Sequence, residues 1–481
     1  MKHAFIVAAL ALWFVFLFSN RVDSGPYDYD EADYMYAASL GPVTNAFDSR
    51  GPSLPQFVRL ALTVGRDPAR RVQLSEAVRG KDDSVFYRHS HGPALYYFLG
   101  ALESAGLSER DIRFAMVVFP LASLLVIYFG SFFVLPVSVR FPGAVLAAAL
   151  SIWNYAPVRS SEIAPHQFFA LLYLAALLAL AKFISTGRRT YWYLAVMVTA
   201  AAFCTLEVTV VLIATLIITA WLERKRIHFD GGLLWRSLLL FAATVLVLWP
   251  GAILRLSVIR SFMIYVYLLA FRSNPWGAVT LGDAWRGRLL DNPLDWLLLA
   301  VGIVIFFRFP GLSVRRLAYP FLMFGALMLV TVVRVASDSP RYVLPFIQAF
   351  DVFAAFVLVD FLQRYGPRVR AAVVGVLVVA AGLVAFLSVE RHPTGAPNPR
   401  MPEVLASLRA RNLGQASILV PQSDLPIIHY YFPRATLRGY RQRLPTAGDI
   451  AGRRFDAVLF PGYPLQLESP RDMQRRQPGA G

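Results

Sequence analysis

The sequence predicts an all-α polytopic membrane protein with about eleven transmembrane helices, followed by a small α/β domain outside the membrane. Hydrophobic residues make up 57% of the 481 residues and charged residues only 16%, a composition typical of proteins whose main solvent is lipid. Apolar runs of membrane-spanning length recur from residue 4 to residue 388. Basic clusters lie in alternate connections between these runs, as in cytoplasmic loops.

The apolar runs define the predicted crossings, beginning with residues 4–19, which follow Met1-Lys2-His3 without a small-x-small cleavage pattern and are therefore expected to stay as a helix. The stretch 191–222 is too long for one crossing, because its 32 residues at ~1.5 Å each would span ~48 Å of a ~30 Å core. A hairpin turning near Glu207 is predicted instead. The other predicted crossings are 112–138, 141–157, 164–184, 233–250, 294–309, 317–334, 342–362 and 369–388.

A cytoplasmic N-terminus places nearly all basic clusters between helices on the cytoplasmic side, at 140, 182–189, 223–226, 308–316 and 364–370. The opposite side then holds the polar loop 20–110 and the connections 159–166, 251–293 and 334–341. The predicted domains are a transmembrane domain over 1–390, including the loop 20–110, and a small domain over 391–481. In the latter we predict strands at 417–421, 435–440 and 455–460, a helix at 425–432 and a disordered tail from residue 468.

Charge and cysteine content exclude some classes of function. The net charge is +17, from 47 Lys and Arg against 30 Asp and Glu. Because the basic residues lie between apolar runs, the charge indicates membrane topology, and nucleic acid is not expected as a partner. The single cysteine, Cys204, lies within an apolar run, so neither a disulfide framework nor a thiolate metal site is expected.

An acidic cluster just after the first apolar run carries four carboxylates in six residues, Asp28, Asp30, Glu31 and Asp33. On a helix, Asp30, Asp33 and Tyr34 would share one face, and Asp28 could serve as the N-cap. The residues leave two interpretations open. Carboxylates in a first turn cap a surface helix, whereas close carboxylates can also take a proton from a sugar hydroxyl or bind a divalent cation.

Two further polar segments are expected on the same side of the membrane. His89 and His91 have ligand spacing in an extended segment, but two histidines without a third ligand favour a loop role over a metal site. Glu162 and His166 stand at i and i+4 if a helix begins there, or Glu162 caps the helix that starts near residue 164.

Arginines mark the outer ends of the late helices. Arg341 stands at the entrance of the crossing 342–362, where a guanidinium is costly unless it meets a phosphate or a carboxylate. The alternative is snorkelling to ordinary lipid headgroups. Arg255 and Arg260 belong to a second basic and aromatic patch, a pattern more typical of an interfacial belt than of a site.

Three short motifs resemble those of the integral-membrane glycosyltransferases of the GT-C fold, in particular the bacterial branch related to protein O-mannosyltransferases and the lipid A aminoarabinose transferase. They are Asp30-Glu31-x-x-Tyr34, His91-Gly92-Pro93-x-Leu95-Tyr96-Tyr97 and Arg341-Tyr342-x-Leu344-Pro345. The resemblance covers residues 1–390. The sequence departs from it at Asp33, where a basic residue is common in relatives, and at Gly92-Pro93, where two prolines are common.

The resemblance implies transfer of a sugar from a polyprenyl-phosphate-linked donor, with inversion at the anomeric carbon and a first-loop aspartate as general base. We therefore expect a multi-pass bacterial inner-membrane enzyme whose site faces the periplasm, with membrane lipids around it and a glycan, lipid or protein as acceptor. Relatives vary in metal dependence, so a divalent cation is left open. Asp30 is the expected base, with Asp28, Glu31, Glu162 and His91 as supporting residues or cation ligands, and Arg341, Tyr342, Arg255 and Arg260 as donor phosphate ligands.

The alternative function is a transporter or flippase of lipid-linked saccharides. Such proteins place ionisable residues near the bilayer midplane, often with broken helices or repeats. The predicted crossings are nearly free of Asp, Glu and Lys, and charge collects at their ends. This pattern favours the enzyme.

Overall fold

The structure is a computed structural model that describes residues 2–18, 22, 25–47, 59, 91–153, 162–224, 230–256, 258–259, 293–332, 342, 344–391, 400–421, 424–440 and 455–459. The chain divides into two compact units, each described below by itself. The bundle unit consists of Met1–Val22, Ser90–Leu95 and Arg113–Thr394. The second unit consists of Asp23–His89, Tyr96–Ile112 and Gly395–Gly481.

The described residues are mostly helical, as the sequence predicts. From the N-terminus to residue 254 the helices are α1 (Lys2–Phe18), α2 (Tyr29–Ser39), α3 (Pro42–Phe47), α4 (Ala94–Ser104), α5 (Glu109–Met116), α6 (Val118–Val134), α7 (Arg140–Trp153), α8 (Pro165–Thr186), α9 (Arg189–Phe203), α10 (Thr209–Glu223), α11 (Gly231–Leu248) and α12 (Pro250–Leu254). Then follow α13 (Pro293–Arg308), α14 (Arg315–Val332), α15 (Leu344–Phe361), a 3₁₀ turn (Leu362–Tyr365) and α16 (Gly366–Arg391).

Helices α8 and α15 form the centre of the bundle unit. Every residue of α15 from Leu344 to Asp360 is buried, as expected for a helix that is apolar on all sides. It packs against α7, α13 and α14, whereas α8 packs against α6, α9 and α14. By contrast, α11 keeps many apolar side chains exposed, among them Trp235, Leu238 and Val247, as expected of a helix that faces lipid.

Several helices can cross a membrane by length and composition. Among the described residues these are the helical stretches Glu109–Val134, Pro165–Thr186, Gly231–Leu248 and Leu344–Leu387, and α1, α7 and α10 contribute shorter apolar stretches. The long segment 191–222 forms two helices, α9 and α10, with a turn between them at residues 204–208. This break lies where the hairpin is predicted, and the number of crossings stays a prediction.

The second unit contains a small parallel sheet. Its strands are β1 (Ser417–Pro421), β2 (Thr436–Tyr440) and β3 (Ala457–Val458), in the order β2-β1-β3, and α17 (Met401–Ala410) precedes them. Helix α18 (Leu425–Tyr431) connects β1 to β2, with Ser417 paired to Thr436. These elements lie in the segments for which the sequence predicts them. The same unit also contains α2 and α3 of the first loop, and the boundary of a separate domain at residue 391 stays a prediction.

Candidate active site

The acidic cluster begins α2 with a capping box in the second unit. The backbone N–H of Glu31 donates to the Asp28 Oδ1 atom over 3.1 Å, and the backbone N–H of Asp28 donates to the Glu31 Oε2 atom over 3.3 Å. Both bonds follow from the Asp-x-x-Glu spacing, because each side chain reaches an amide that the helix leaves unpaired. The structure therefore gives Asp28 and Glu31 a capping role, which was one of the two interpretations that the sequence left open.

Asp30 stands in the first turn of α2, two residues after the N-cap, and is half-buried. A carboxylate suits this position, since the unpaired N–H groups and the helix dipole give the N-terminus partial positive charge. Asp28 and Glu31 make the capping bonds to each other. Asp30 is the carboxylate of this motif that combines partial exposure with a place outside the capping box.

Asp33 corrects an expectation from the sequence. We expected a solvated or capping carboxylate on the same helical face as Asp30. The structure instead buries Asp33 completely, at 0% exposure, and the neighbouring Tyr34 at 1%. A buried carboxylate costs free energy unless other groups compensate it, so this position differs from the solvated carboxylate that the sequence predicts.

The first two motifs meet within the second unit. The ring of Tyr34, from the acidic motif, lies 6.3 Å from the ring of Tyr96, from the His-Gly-Pro motif, measured between centroids. Helix α4 approaches α2 closely, since a Cβ atom on Gly100 would lie 3.2 Å from the Ala38 carbonyl oxygen. The glycine thus allows the two helices that carry the motifs to approach closely at this point.

The beginning of the second motif is held in the bundle unit. The His91 Nδ1 atom lies 2.7 Å from the Glu207 Oε2 atom, and both side chains are about nine-tenths buried. The backbone N–H of Ala94 donates to the Cys204 carbonyl oxygen over 3.0 Å. A Cβ atom on Gly92 would overlap the backbone of Cys204. Residues 91–94 are therefore fixed on the turn between α9 and α10.

Glu162 does not pair with His166 through helical spacing. Helix α8 begins at Pro165 with Ala164 as its N-cap, and the methyl side chain of Ala164 makes no capping bond. Glu162 thus lies before the helix, so both the i, i+4 arrangement and the capping role predicted for Glu162 are wrong. The ring of His166 instead contacts the ring of Tyr342 edge-on, with 5.2 Å between centroids.

Among the arginines predicted to bind phosphate, Arg255 is exposed at the C-terminal end of α12. Arg260 and Arg341 lie outside the described residues, as does His89. Tyr342, next to Arg341 in the sequence, is half-buried beside His166. Within the part of the chain that the structure describes, no group of three or more His, Cys, Asp or Glu side chains is arranged to hold a metal ion.

Sequence reasoning missed several residues that the structure brings to the motifs. The sequence predicts Glu207 only as the position of a turn, although a lone carboxylate between two apolar runs is a signal for a buried partner. The sequence predicts Tyr430 and Tyr431 within a helix and gives them no role. Their contacts with the first loop leave no local pattern in the sequence, because 322 to 404 residues separate the partners.

Comparison with known proteins identifies the fold. No protein-family model matches the sequence, and no curated protein matches it. Among solved structures, ArnT from Cupriavidus metallidurans, solved with undecaprenyl phosphate bound, is 14% identical with a TM-score of 0.56, and the match covers 92% of this chain and 86% of ArnT.

An Archaeoglobus fulgidus oligosaccharyltransferase, solved with Zn and sulfate, is 14% identical with a TM-score of 0.57 over 89% of this chain. The archaeal oligosaccharyltransferase AglB from Archaeoglobus fulgidus, solved with an inhibitory peptide and a dolichol-phosphate, is 13% identical with a TM-score of 0.54 over 91% of this chain. This chain covers 62% and 64% of the length of these two proteins.

These likenesses and the helical bundle together define a multi-pass membrane protein with the GT-C fold. The GT-C fold predicted from the three motifs is thereby confirmed. At 13–14% identity the likeness extends to the fold alone.

Proposed function

We propose that this protein is an inverting glycosyltransferase that moves a sugar from a polyprenyl-phosphate-linked donor to a periplasmic acceptor. The observation that carries the proposal is Asp30, a half-buried carboxylate in the first turn of a helix that follows the first apolar helix of a GT-C bundle. Two structures of similar fold were solved with undecaprenyl phosphate and with a dolichol-phosphate bound. A donor built on such a lipid phosphate fits a protein of this fold. The acceptor is a glycan, a lipid or a protein. The enzyme itself lies in a bacterial inner membrane, and its active site faces the periplasm.

In the proposed reaction the Asp30 carboxylate takes the proton of the acceptor hydroxyl as that oxygen attacks the anomeric carbon. The bond from the anomeric carbon to the phosphate oxygen breaks, and its electron pair leaves with the lipid phosphate. Attack from the opposite face inverts the anomeric configuration. One carboxylate suffices as the base, and the leaving phosphate requires cationic or hydrogen-bonding groups, because its negative charge increases.

We assign the leaving phosphate to Arg341 and Tyr342, assisted by Arg255 or Arg260. A guanidinium donates two parallel hydrogen bonds to a phosphate, so an arginine is well suited to this role. The contact between Tyr342 and His166 supports a phosphate site at the Arg341-Tyr342 motif, because it brings the polar ring of His166, at the start of α8, next to that motif.

The other candidates are proposed to assist Asp30 indirectly. Asp28 and Glu31 hold the first turn of α2 through the capping box, and His91 fixes the second motif through Glu207. Glu162, half-buried before α8, is the proposed further carboxylate should a divalent cation assist the reaction. Titration with a chelator, followed by back-addition of Mg²⁺, Mn²⁺ or Zn²⁺, would decide whether the reaction needs such a cation.

The test compares wild-type protein with Asp30→Asn in nanodiscs, using radiolabelled polyprenyl-phosphate sugars and thin-layer analysis. Asparagine has nearly the same shape but does not accept the proton at neutral pH, so turnover should fall by ~10² or more while donor binding is retained. Asp111→Asn is the matched control, because Asp111 is an exposed carboxylate in the first turn of α5. Full turnover in Asp30→Asn would show that another group is the base.

The transporter alternative is favoured by one observation. Asp351 lies in the middle of α15 and is 2% exposed, and it is one of the few carboxylates within the predicted crossings. Intramembrane carboxylates commonly mark substrate or proton pathways. The test follows a labelled lipid-linked sugar in liposomes that contain the protein. If the sugar crosses the membrane without release of lipid phosphate, and Asp351→Asn abolishes this movement, the protein is a transporter and not a transferase.

A further inference from the structure

Helix α18, near the C-terminal end of the described residues, packs against α2 within the second unit. The ring of Tyr430 lies 5.3 Å from that of Tyr27, edge-on, and the ring of His429 lies 4.2 Å from that of Tyr36. Tyr27 immediately precedes the N-cap of α2, and Tyr36 stands two turns later. Aromatic contacts from one short helix therefore lie on both sides of Asp30 in the sequence.

Two hydroxyl groups of α18 add directional bonds. The Tyr431 hydroxyl accepts the backbone N–H of Tyr27 over 3.0 Å and donates to the Glu109 Oε1 atom over 2.6 Å. The Tyr430 hydroxyl donates to the Glu103 Oε1 atom over 3.2 Å. Tyr431 therefore connects the backbone before the acidic motif to a side chain at the start of α5.

The protonation states of Tyr430 and Tyr431 agree with their role as hydrogen-bond donors to Glu103 and Glu109. Burial, followed by the neighbouring carboxylates, raises the pKa of Tyr430 and of Tyr431 above the ordinary value of tyrosine. Burial also raises the pKa of Glu103, while the bond from Tyr430 acts in the opposite direction. Both hydroxyls are thus protonated at neutral pH and available as donors to the carboxylates.

We infer that Tyr431, assisted by Tyr430, is a positioning residue that fixes the entry of the chain into α2 and thereby the position of Asp30. This inference rests on the proposed function, in which Asp30 is the base. A base must lie within hydrogen-bond reach of the proton it removes, and a displacement of about 1 Å can cost about 100-fold in rate. Tyr27 precedes Asp30 by three residues, so the bond at its N–H limits how far the first turn can shift.

The inference also changes the role of the C-terminal segment. The sequence places every catalytic candidate before residue 390 and predicts that the part after it tunes acceptor choice or stability. The contacts of α18 with Tyr27, Glu103 and Glu109 make that segment part of the support of the acidic motif.

The test uses Tyr431→Phe in the full-length protein, because phenylalanine keeps the ring and removes only the hydroxyl. Hydrogen–deuterium exchange should be about fivefold faster in a peptide that covers residues 25–30, since the Tyr27 amide loses its acceptor. The turnover number should fall about tenfold or more, with the KM for donor changed by less than about twofold. A general loss of folding would instead raise exchange in α17 and α15 as well.

Matched variants separate positioning from packing. Glu109→Gln keeps an oxygen that accepts the Tyr431 hydroxyl, so its kinetics should lie closer to wild type than those of Tyr431→Phe. Tyr365→Phe removes an exposed hydroxyl from the 3₁₀ turn after α15 and should change neither readout. Should Tyr431→Phe fail to fold, Glu109→Ala removes the carboxylate that accepts the Tyr431 hydroxyl and leaves that ring in place. Unchanged exchange at residues 25–30 in Glu109→Ala would then overturn the inference.

The outcomes are distinguishable from failure of the proposed function. Unchanged exchange at residues 25–30 in Tyr431→Phe would overturn the inference. Faster exchange with an unchanged turnover number, in a protein that Asp30→Asn inactivates, would also overturn it. If Asp30→Asn keeps full turnover, the proposed base is wrong, and the exchange data alone decide whether the tyrosines hold this segment.

Discussion

The Nδ1 atom of His91 lies 2.7 Å from the Oε2 atom of Glu207, although 116 residues separate them in the sequence. Both side chains are almost fully buried. The pair holds the beginning of the His-Gly-Pro motif against the turn between α9 and α10. It gives the histidine of this motif a specific packing partner, in agreement with the expectation of a loop role.

Removing the carboxylate of this pair should destabilise the protein. Glu207→Ala leaves a buried imidazole without the Glu207 partner, and such a loss costs about 1–3 kcal/mol. Glu207→Gln keeps a hydrogen-bonding side chain of the same shape and should cost less. Thermal unfolding in detergent micelles measures both, with Glu403→Ala on the exposed side of α17 as a control. Equal melting temperatures in all three would show that the pair contributes nothing to stability.

Gly92 is required by close approach of two backbones. A Cβ atom there would overlap the carbonyl carbon and oxygen of Cys204, and backbone atoms cannot move aside as a flexible side chain can. Gly92→Ala should therefore cost about 1–3 kcal/mol of stability and weaken the bond from the Ala94 N–H.

The control is Gly375→Ala on the exposed side of α16, where nothing lies within 4 Å of the added atom. That change improves helix propensity and should not lower the melting temperature. Wild-type stability in Gly92→Ala would mean that residues 91–94 can leave the turn at little cost.

The sequence predicted the helices well because their signal is local. The run 164–184 became α8, and the over-long run 191–222 became two helices because ~30 Å of hydrocarbon sets a length limit. The N-cap position of Asp28 was likewise predicted from the sequence, whereas the return bond from Glu31 that completes the capping box was not.

Contacts between distant segments could not be predicted in this way. The bonds from His91 to Glu207 and from Tyr27 to Tyr431 join positions whose neighbours in the sequence carry no matching pattern. The burial of Asp33 depends on which face of α2 packs, and a short helix with polar and aromatic residues on every side does not determine that face.

Membrane topology gives a prediction independent of catalysis. Reporter fusions after Arg189, Arg226, Arg316 and Arg368 should report the cytoplasm, and fusions after Ser273, Asp338 and Pro399 the periplasm, because basic connections remain inside. Helices α9 and α10 have 15 residues each, about 22 Å at 1.5 Å per residue, which is short for a crossing. A periplasmic signal at Arg226 would therefore show that this hairpin does not cross the membrane twice.

Donor binding should depend on the planar guanidinium of Arg341, which can donate two parallel hydrogen bonds to a phosphate. Arg341→Lys keeps the charge but loses the second parallel hydrogen bond, so the KM for donor should rise about tenfold, and Arg341→Ala should raise it further. Arg368→Ala, an exposed arginine at the start of α16, is the control. Unchanged donor KM in both Arg341 variants would mean that this arginine contacts ordinary headgroups.

The two aspartates of α2 should respond oppositely to the same substitution. Asp33 is completely buried, so water cannot take over the interactions that the carboxylate makes there. Asp33→Asn should therefore lower the free energy of unfolding by about 1–3 kcal/mol. Its turnover per folded molecule should stay near that of wild type. Asp30 is half-buried, so Asp30→Asn should change stability by less than about 0.5 kcal/mol while turnover falls by ~10² or more. Melting temperature and single-turnover rate, measured on the same preparations, give both quantities. An inactive but stable Asp33→Asn beside an active Asp30→Asn would move the base to Asp33 and make Asp30 the supporting carboxylate.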